Sequence, residues 1–212
     1  AALGAGLAAG AVNFKFQISN FNWQRRTPGL VAGIVMIAAL VVYVLTLAPD
    51  LTWAHDGADG GDLIVASYLG GAAHPPGYPL YVVLGRGVAA LPIGSLPFRY
   101  NLFSALAAAG AAAIVARSMA MRGACAGYGR GTGGVSSLLP ALAAGLGLAF
   151  APLVWSQAVI TEVYALAALL AALIVAQSLG DVPRPLWLGL AFGLGLTHHA
   201  VLIAFAPLVL SA

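Results

Sequence analysis

Residues 30–48 read LVAGIVMIAALVVYVLTLA, a run of nineteen residues without a charge. A helix needs about twenty such residues to cross the hydrocarbon core of a bilayer. Arg25 and Arg26 precede the run, and basic residues favour the cytoplasmic side of a membrane. Leu30–Ala48 is therefore predicted to be a transmembrane helix that passes from the inside to the outside.

The composition of the whole chain agrees with this prediction. Of its 212 residues, 61% are hydrophobic and 7% are charged, whereas a soluble domain is about 25% charged. Its 27 glycines suit helices that approach one another closely in a membrane. A very apolar soluble bundle would need polar outer faces, which most of these segments lack. We therefore expect an all-α, polytopic transmembrane protein.

The charged residues and the cysteine exclude further classes. The formal net charge is +3, and the basic residues are scattered, with Arg25–Arg26 as their one close pair. We expect no nucleic-acid partner, because such partners need a dense basic patch. Cys125 is the single cysteine, which excludes an internal disulfide and a multi-cysteine metal site.

The chain is divided into two predicted parts. Residues 1–29 form an N-terminal cytoplasmic or interfacial segment, and residues 30–212 form a transmembrane module of about six spans. The chain starts without methionine and ends in an apolar stretch, so we expect a module truncated at its C-terminus. The further predicted spans are Leu102–Ala116, Val135–Val154, Val163–Ala176, Leu186–Leu196 and the apolar end from Ala200.

Tyr78–Leu91 decides the predicted topology. This stretch is apolar apart from Arg86, and it is short for a span. If it crosses the membrane, the linker Arg117–Gly134 with its three arginines lies outside. If it lies in the interface, that linker lies inside, which agrees with the bias of basic residues. We prefer the interfacial interpretation, with a short span as the alternative.

With an interfacial Tyr78–Leu91, the N-terminus is inside and the acidic residues gather outside. Asp181 is the one acid predicted on the inside. The four histidines are also predicted outside. The acids predicted outside are Asp50, Asp56, Asp59, Asp62 and Glu162.

The first outer loop contains the sequence DGGD at residues 59–62. A helix is predicted to begin near Gly60 and to end at Gly70–Gly71. Asp59 would then cap this helix and Asp62 would favour the positive end of its dipole. A carboxylate at this place also suits a general base. The two interpretations of Asp59 are compatible.

The sequence HPPGYP at residues 74–79 predicts a rigid turn. Proline disfavours the helical region for the residue before it, Gly77 allows a positive φ, and Pro79 suits the first turn of the next helix. His74 is either a polar loop residue or a neighbour of the carboxylates.

Other polar residues have two interpretations each. Arg86 and Arg99 either snorkel to the interface or bind a lipid phosphate. Glu162 is either a solvated acid at a helix end or part of a site. His198 and His199 are a poor metal-binding pair, because adjacent side chains on a helix point in different directions. The glycine-rich residues 127–134 lack the ending of a phosphate loop and follow no strand, which favours a cytoplasmic linker.

Several of these segments together resemble a known family. The motifs DGGDL at 59–63, HPPGYPLY at 74–81 and RYNLFSA at 99–105 resemble a bacterial family of uncharacterised membrane proteins related to the protein O-mannosyltransferases. WSQ at 155–157, TEVYAL at 161–166 and GLTHH at 195–199 extend the resemblance in the same order. The family more often shows DSGE where this chain has DGGD. The resemblance implies a GT-C-like N-terminal membrane module with a long first outer loop that carries juxtamembrane helices.

The resemblance also implies an activity. GT-C glycosyltransferases transfer a sugar from a polyprenyl-phosphate donor to an acceptor hydroxyl, here with inversion and on the outer face of a bacterial inner membrane. Asp59 matches the catalytic acid of the family, with Asp62 and Glu162 as companions. Arg86 or Arg99 would neutralise the leaving phosphate. The residues expected to bind substrate are His74, Tyr78, Arg86, Arg99, His198 and His199.

The implied partners are a polyprenyl-phosphate sugar lipid, an acceptor protein or glycan, membrane lipids and other membrane subunits. We predict no metal-binding residues; the cofactor stays open, with a divalent cation as the candidate. The alternative function is a non-catalytic, GT-C-like accessory subunit of a larger membrane complex. A lipid or solute transporter is a weaker interpretation, because transporter sites concentrate near the middle of the membrane.

Overall fold

The computed structural model describes residues 23–125, 135–180 and 184–211. All regular elements in these ranges are helical, which confirms the all-α prediction. Two of them are 3-10 helices, Ala54–Asp56 and Ala200–Phe205. The α-helices are α1 (Trp23–Thr46), α2 (Gly60–Leu69), α3 (Pro79–Ala89), α4 (Leu96–Cys125), α5 (Val135–Ala149), α6 (Pro152–Ala158), α7 (Tyr164–Ser178), α8 (Pro185–His198) and α9 (Ala206–Leu210).

Some predictions fall outside the described residues. These are the N-terminal segment as far as residue 22, the glycine-rich residues 127–134 with Arg130, and Asp181. The side chains of Arg25 and Arg26 are also outside the description.

Two of the described helices are long and apolar enough to cross a membrane on their own. They are Thr27–Thr46 within α1 and Leu96–Arg122 within α4. Helices α5 and α6 pass the same test only as a pair, which is bent by 60°. The predicted span Val135–Val154 therefore corresponds to a bent pair of helices, which is either a broken span or a re-entrant loop. Its bend follows from Pro152, because a proline disfavours helical backbone at the residue before it, and Ala151 has ψ 129°.

The remaining apolar helices are shorter. Helices α3 and α7 fall in this class, and the stretch Ala200–Leu210 changes from 3-10 to α-helix along its length. The described residues thus contain two spans by length and composition, or three with the bent pair. The total of about six spans stays a prediction.

Helix α4 is longer at both ends than the predicted span Leu102–Ala116. Arg99 lies in its first turn, and Arg117 and Arg122 lie within the helix rather than in a linker. The prediction of an irregular linker is wrong for residues 117–125, because arginine and alanine are strong helix formers whatever their charge. Arg122 also stabilises the neighbouring helix end, since its guanidinium donates a 2.7 Å hydrogen bond to the Leu179 carbonyl.

Helix α4 forms the centre of the bundle and packs against α1, α5 and α7. Its core residues are small, and Ala105, Ala108, Ala112 and Ala116 are all fully buried. Small side chains let membrane helices approach closely. At Gly145 of α5, a Cβ atom would lie 2.7 Å from the Cβ of Ala116, so only glycine permits this approach.

Hydrogen bonds connect four segments of the chain at one end of the helix bundle. The Ala48 N–H, just after α1, donates to the Val159 carbonyl over 2.9 Å. Asn101 of α4 donates to the Ala48 carbonyl over 2.8 Å. His198 at the end of α8 bonds the Val163 carbonyl over 2.9 Å. The residues just after α1, the start of α4, the loop before α7 and the end of α8 therefore meet.

The described acidic residues all belong to this end. Asp50 follows α1, and its carbonyl accepts a hydrogen bond from Asn101. Asp56, Asp59 and Asp62 lie in or next to the loop between α1 and α2, and Glu162 lies in the loop before α7. The hydrogen bond of Arg122 marks the opposite end. The predicted gathering of acids is therefore present among the described residues, while their side of a membrane stays a proposal.

Candidate functional site

Asp59 lies directly before α2, but its side chain makes no capping hydrogen bond. Its predicted position as the N-cap residue is confirmed, whereas the predicted capping by its side chain is wrong. Capping needs an extended backbone at the cap residue, whereas Asp59 is already helical, with φ −88° and ψ −12°. Its carboxylate instead lies 3.4 Å from Nε2 of His74.

His74 lies between the two acids of the DGGD motif. Its Nδ1 is 2.8 Å from Oδ2 of Asp62, and its backbone N–H donates to the same oxygen over 2.8 Å. A carboxylate oxygen only accepts, so Nδ1 carries the proton of this bond. Asp62 and Asp59 therefore lie on opposite nitrogens of one imidazole ring.

The HPPGYP turn holds His74 in this place. Gly77 has φ 92°, as predicted, and Tyr78 has φ 45°. Pro79 begins α3, also as predicted. The ring of Tyr78 packs edge-on against His74 with centroids 5.3 Å apart. The turn and this aromatic contact together restrict the orientation of the imidazole.

The contact between His74 and Asp62 changes the charge state of both. The backbone N–H and then the imidazole of His74 hold the pKa of Asp62 below its ordinary value. The hydrogen bond to Asp62 raises the pKa of His74 above its ordinary value, and the charges of Asp59, Asp62 and Glu162 act in the same direction. Both shifts favour an imidazolium between two carboxylates, relative to the charge state of an isolated histidine.

Glu162 enters the site from the loop before α7. Its side chain is buried, with the residue 2% exposed. The Val163 N–H donates to Oε2 over 3.4 Å, and Oε1 has no hydrogen-bond partner among the described residues. Burial, and to a smaller extent the charge of Asp59, raise the pKa of Glu162 to about 7. The backbone N–H groups of Val163 and Asp59 and the charge of His74 act in the opposite direction and lower it.

Close packing brings Glu162 towards Asp59. A Cβ atom on Gly60 would lie 3.2 Å from the Thr161 carbonyl, so the start of α2 touches the loop that carries Glu162. The Thr161 hydroxyl donates to Oδ1 of Asn101 over 2.6 Å, which ties that loop to α4. The two acids thus belong to one packed unit.

Asp59 and Glu162 line one cleft of about 470 Å³. Asp62 is not among its lining residues; it contacts His74, which lies beside Asp59. Gln157 donates through Nε2 to the His55 carbonyl over 3.0 Å, and its buried Oε1 has no hydrogen-bond partner among the described residues. The lining combines polar and apolar residues: the polar ones are Asp56, Asp59, Gln157, Glu162 and Tyr164, and the apolar ones are Leu153, Val154, Ala165 and Ala168.

Both predicted histidines at the end of α8 lie near Tyr78. Its ring centroid is 6.2 Å from that of His198 and 5.8 Å from that of His199. His198 is buried and bonded to the Val163 carbonyl, while His199 accepts the Val201 N–H over 3.2 Å. Each histidine therefore also supports the local fold. The buried Tyr81 stacks on His198 at 6.2 Å.

The two candidate arginines have different surroundings. Arg99 donates to the carbonyls of Ala89, Ile93 and Gly94 over 2.6, 2.7 and 3.2 Å, and so closes the turn between α3 and α4. Arg86 is exposed, and its guanidinium lies against Gly70 at the end of α2. Neither arginine lines the cleft.

Three residues of the site received no role from the sequence: Asn101, Gln157 and Thr161. Each stands in a quoted motif, and each is a polar residue beside an apolar run, which was the available signal. In the described part of the chain, no group of three or more His, Cys, Asp or Glu residues is arranged to hold a metal ion.

The fold and the site define an all-helical membrane protein with an acidic, half-apolar cleft at one end of its helices. The chain belongs to the family described as the protein O-mannosyl-transferase TMEM260 N-terminal domain, whose model matches residues 59–211. This confirms the predicted relation to the protein O-mannosyltransferases, while a bacterial origin stays a prediction.

Two relatives show the extent of the similarity. Protein O-mannosyl-transferase TMEM260 of Mus musculus is 34% identical over 149 residues, which are 70% of this chain and 19% of the mouse protein. The Dictyostelium discoideum protein of the same description is 40% identical over 52 residues, 24% of this chain and 6% of that protein. The matches thus cover less than a fifth of each relative. No solved structure matches the chain.

Proposed function

We propose that this chain is the N-terminal membrane module of a GT-C-type glycosyltransferase. It transfers a sugar from a polyprenyl-phosphate donor to an acceptor hydroxyl, with inversion. The names of the relatives suggest mannose as the sugar and a protein as the acceptor. The observation that carries the proposal is that Asp59 and Glu162, from two distant segments, line one cleft that also has apolar lining residues.

Asp59 is the general base of the proposed reaction. It takes the proton of the acceptor hydroxyl while that oxygen attacks the anomeric carbon. The bond from the anomeric carbon to the phosphate oxygen breaks, and its electron pair leaves with the phosphate. The carboxylate suits this role because it is partly exposed, lines the cleft and has a histidine beside it. General-base catalysis contributes about 10²–10⁴-fold to such reactions.

Glu162 supports the base without competing with it. With a pKa of about 7, this carboxyl group is protonated in a large fraction of molecules at neutral pH. A neutral carboxyl avoids repulsion with ionised Asp59 and can donate a hydrogen bond to a sugar or acceptor oxygen. Its buried Oε1 has no hydrogen-bond partner among the described residues, so this atom has unused capacity for such a bond.

The donor lipid has two features that the site must hold. Its chain suits the apolar residues of the cleft, Leu153, Val154, Ala165 and Ala168. Its phosphate needs a cation, and the residues that line the cleft include none. Arg86 is the better candidate of the two arginines, because Arg99 is already bonded to three carbonyls.

The proposed orientation has the N-terminus inside and the site on the outer face of a bacterial inner membrane. Arg117, Arg122 and Arg184 support it, because they lie towards the end of the bundle opposite the described acids. Basic residues concentrate on the cytoplasmic side of membrane proteins.

Sugar transfer by the full-length protein tests the proposal. The purified protein in nanodiscs is given polyprenyl-phosphate mannose with a labelled sugar, and transfer to candidate acceptor proteins is measured. We expect Asp59→Asn to lower transfer by about 100-fold or more. Asp50→Asn, the same change at an exposed acid after α1, should leave the rate within about twofold. Equal rates for wild type and Asp59→Asn would remove Asp59 as the base. A wild-type protein that binds the lipid without transfer would instead favour the accessory-subunit alternative.

A further inference from the structure

We propose that His74 is a positioning residue, through which Asp62 orients the Asp59 carboxylate towards the cleft. Asp62 then acts on His74 and makes no contact with substrate. This inference rests on the proposed function, in which Asp59 is the base.

Three residues lie in a row, with Asp62 farthest from the cleft, His74 in the middle and Asp59 at the cleft. Asp62 Oδ2 accepts both the backbone N–H and the Nδ1–H of His74, each over 2.8 Å. The opposite nitrogen, Nε2, lies 3.4 Å from Asp59 Oδ2. Asp59 lines the cleft and Asp62 does not. Two hydrogen bonds to Asp62 therefore fix the imidazole, and its second nitrogen faces Asp59.

The groups around His74 favour its positive charge. Asp59 and Asp62 face it from the start of α2, and Glu162 acts on it from the loop before α7. Tyr78 of its own turn packs on the ring, and Tyr78 in turn contacts His198 and His199. Two carboxylates thus contact one imidazole, and a third acts on it without a direct ion pair. A positive charge on the imidazole attracts the Asp59 carboxylate and so restricts its orientation.

The His74 proton takes no part in the transfer itself. The proton of the acceptor hydroxyl moves to Asp59 while the new glycosidic bond forms and the bond to phosphate breaks. Asp59 then releases that proton to water, since its side chain is 43% exposed. His74 gives up no proton in these steps and needs no other reactant.

Kinetics of the full-length protein separate this role from a purely structural one. We expect His74→Gln to lower kcat by about 10- to 100-fold, with a small change in KM, because the interaction acts in the transition state. Asp62→Asn should lower kcat less, and Asp50→Asn should match wild type.

The double variant decides whether Asp62 acts through His74. If it does, His74→Gln with Asp62→Asn should have the kcat of His74→Gln alone, within about twofold. If the decrease in kcat of the double variant equals the product of the two single decreases, the inference is overturned, because Asp62 then acts independently of His74.

Histidine-selective ¹⁵N NMR of the same protein gives a readout that needs no substrate. The His74 signal is assigned by its absence in His74→Gln. Its titration midpoint in wild type should lie above that of an ordinary histidine and should fall in Asp62→Asn. An unchanged midpoint would refute the inference even where transfer is normal. Full activity of His74→Gln beside an inactive Asp59→Asn refutes the inference alone, whereas full activity of Asp59→Asn refutes the proposed base and the inference with it.

Discussion

The hydroxyl of Thr161 donates a 2.6 Å hydrogen bond to Oδ1 of Asn101, and both side chains are buried. The amide of Asn101 also donates to the carbonyls of Ala48 and Asp50 over 2.8 and 3.3 Å. One side chain of α4 thus joins the segment after α1 to the loop that carries Glu162. These hydrogen bonds of Asn101 help to keep the loop with Glu162 packed against the start of α2.

Removal of the Thr161 hydroxyl should destabilise the protein. In Thr161→Val, Oδ1 of Asn101 stays buried without its donor, which costs about 1–3 kcal/mol of unfolding free energy. Thermal unfolding of the purified protein measures this loss. Ser118→Ala is the matched control, because the Ser118 hydroxyl bonds only the Ile114 carbonyl of its own helix. Its effect should be below about 0.5 kcal/mol, and equal losses in the two variants would contradict the role of the Thr161 bond.

Glu162 should make stability depend on pH. Its pKa of about 7 in the folded protein lies above the ordinary 4.5, so the folded state binds this proton more tightly than the unfolded state. The stabilisation is complete below about pH 4.5 and is lost as the pH rises towards and through about 7. The Glu162→Gln side chain cannot ionise, so the unfolding free energy of this variant should not show this decrease with rising pH. In wild type the decrease is on the order of 3 kcal/mol at most.

Chemical denaturation between about pH 4.5 and pH 8 measures the effect of Glu162→Gln. Asp50→Asn serves as the control, because Asp50 is exposed and its removal should leave the pH dependence of wild type. The same slope against pH in wild type and Glu162→Gln would contradict the raised pKa.

The two glycines of the DGGD motif should respond differently to alanine. A Cβ on Gly60 would lie 3.2 Å from the Thr161 carbonyl, whereas one on Gly61 would meet only Leu51 at 4.0 Å. Gly60→Ala should push α2 away from the Glu162 loop and lower transfer by about 10-fold or more, as small misplacements at a site do. Gly61→Ala should keep the wild-type rate. The transfer assay compares the two, and equal rates would show that the close approach has no functional role.

Replacement of Arg86 should affect binding of the lipid donor, whereas replacement of Arg99 should affect stability. Arg86→Gln should raise KM for the lipid donor and leave the unfolding temperature within about 2 °C, because the Arg86 guanidinium has no hydrogen bond or ion pair with the described residues. Arg99→Gln should lower the unfolding temperature, because it loses hydrogen bonds to three carbonyls. Donor titrations and thermal unfolding of both variants check this. A raised KM in Arg99→Gln with normal stability would reverse the assignment.

The candidate site was only partly predictable. The DGGD and HPPGYP motifs pointed to Asp59, Asp62 and His74 because turn-forming residues and isolated acids are visible in an apolar sequence. The separation of their roles was not visible. It depends on the orientation of one imidazole, with Asp62 on one nitrogen and Asp59 on the other. Asn101 and Gln157 received no role, since a polar residue in a motif does not reveal its partner.

The sequence by itself determined the features that depend on neighbouring residues. Hydrophobicity in the run 30–48 determined the first membrane helix, and glycine and proline determined the ends of α2 and the turn before α3. Tertiary structure alone decided the meeting of Asp59 with Glu162 in one cleft and the hydrogen bonds of Asn101 to two distant segments. These depend on contacts between segments far apart in the chain, such as Gly60 against Thr161 and Thr161 with Asn101. Such contacts form only when the helices pack, because burial and close approach are properties of the assembled bundle and not of any one segment.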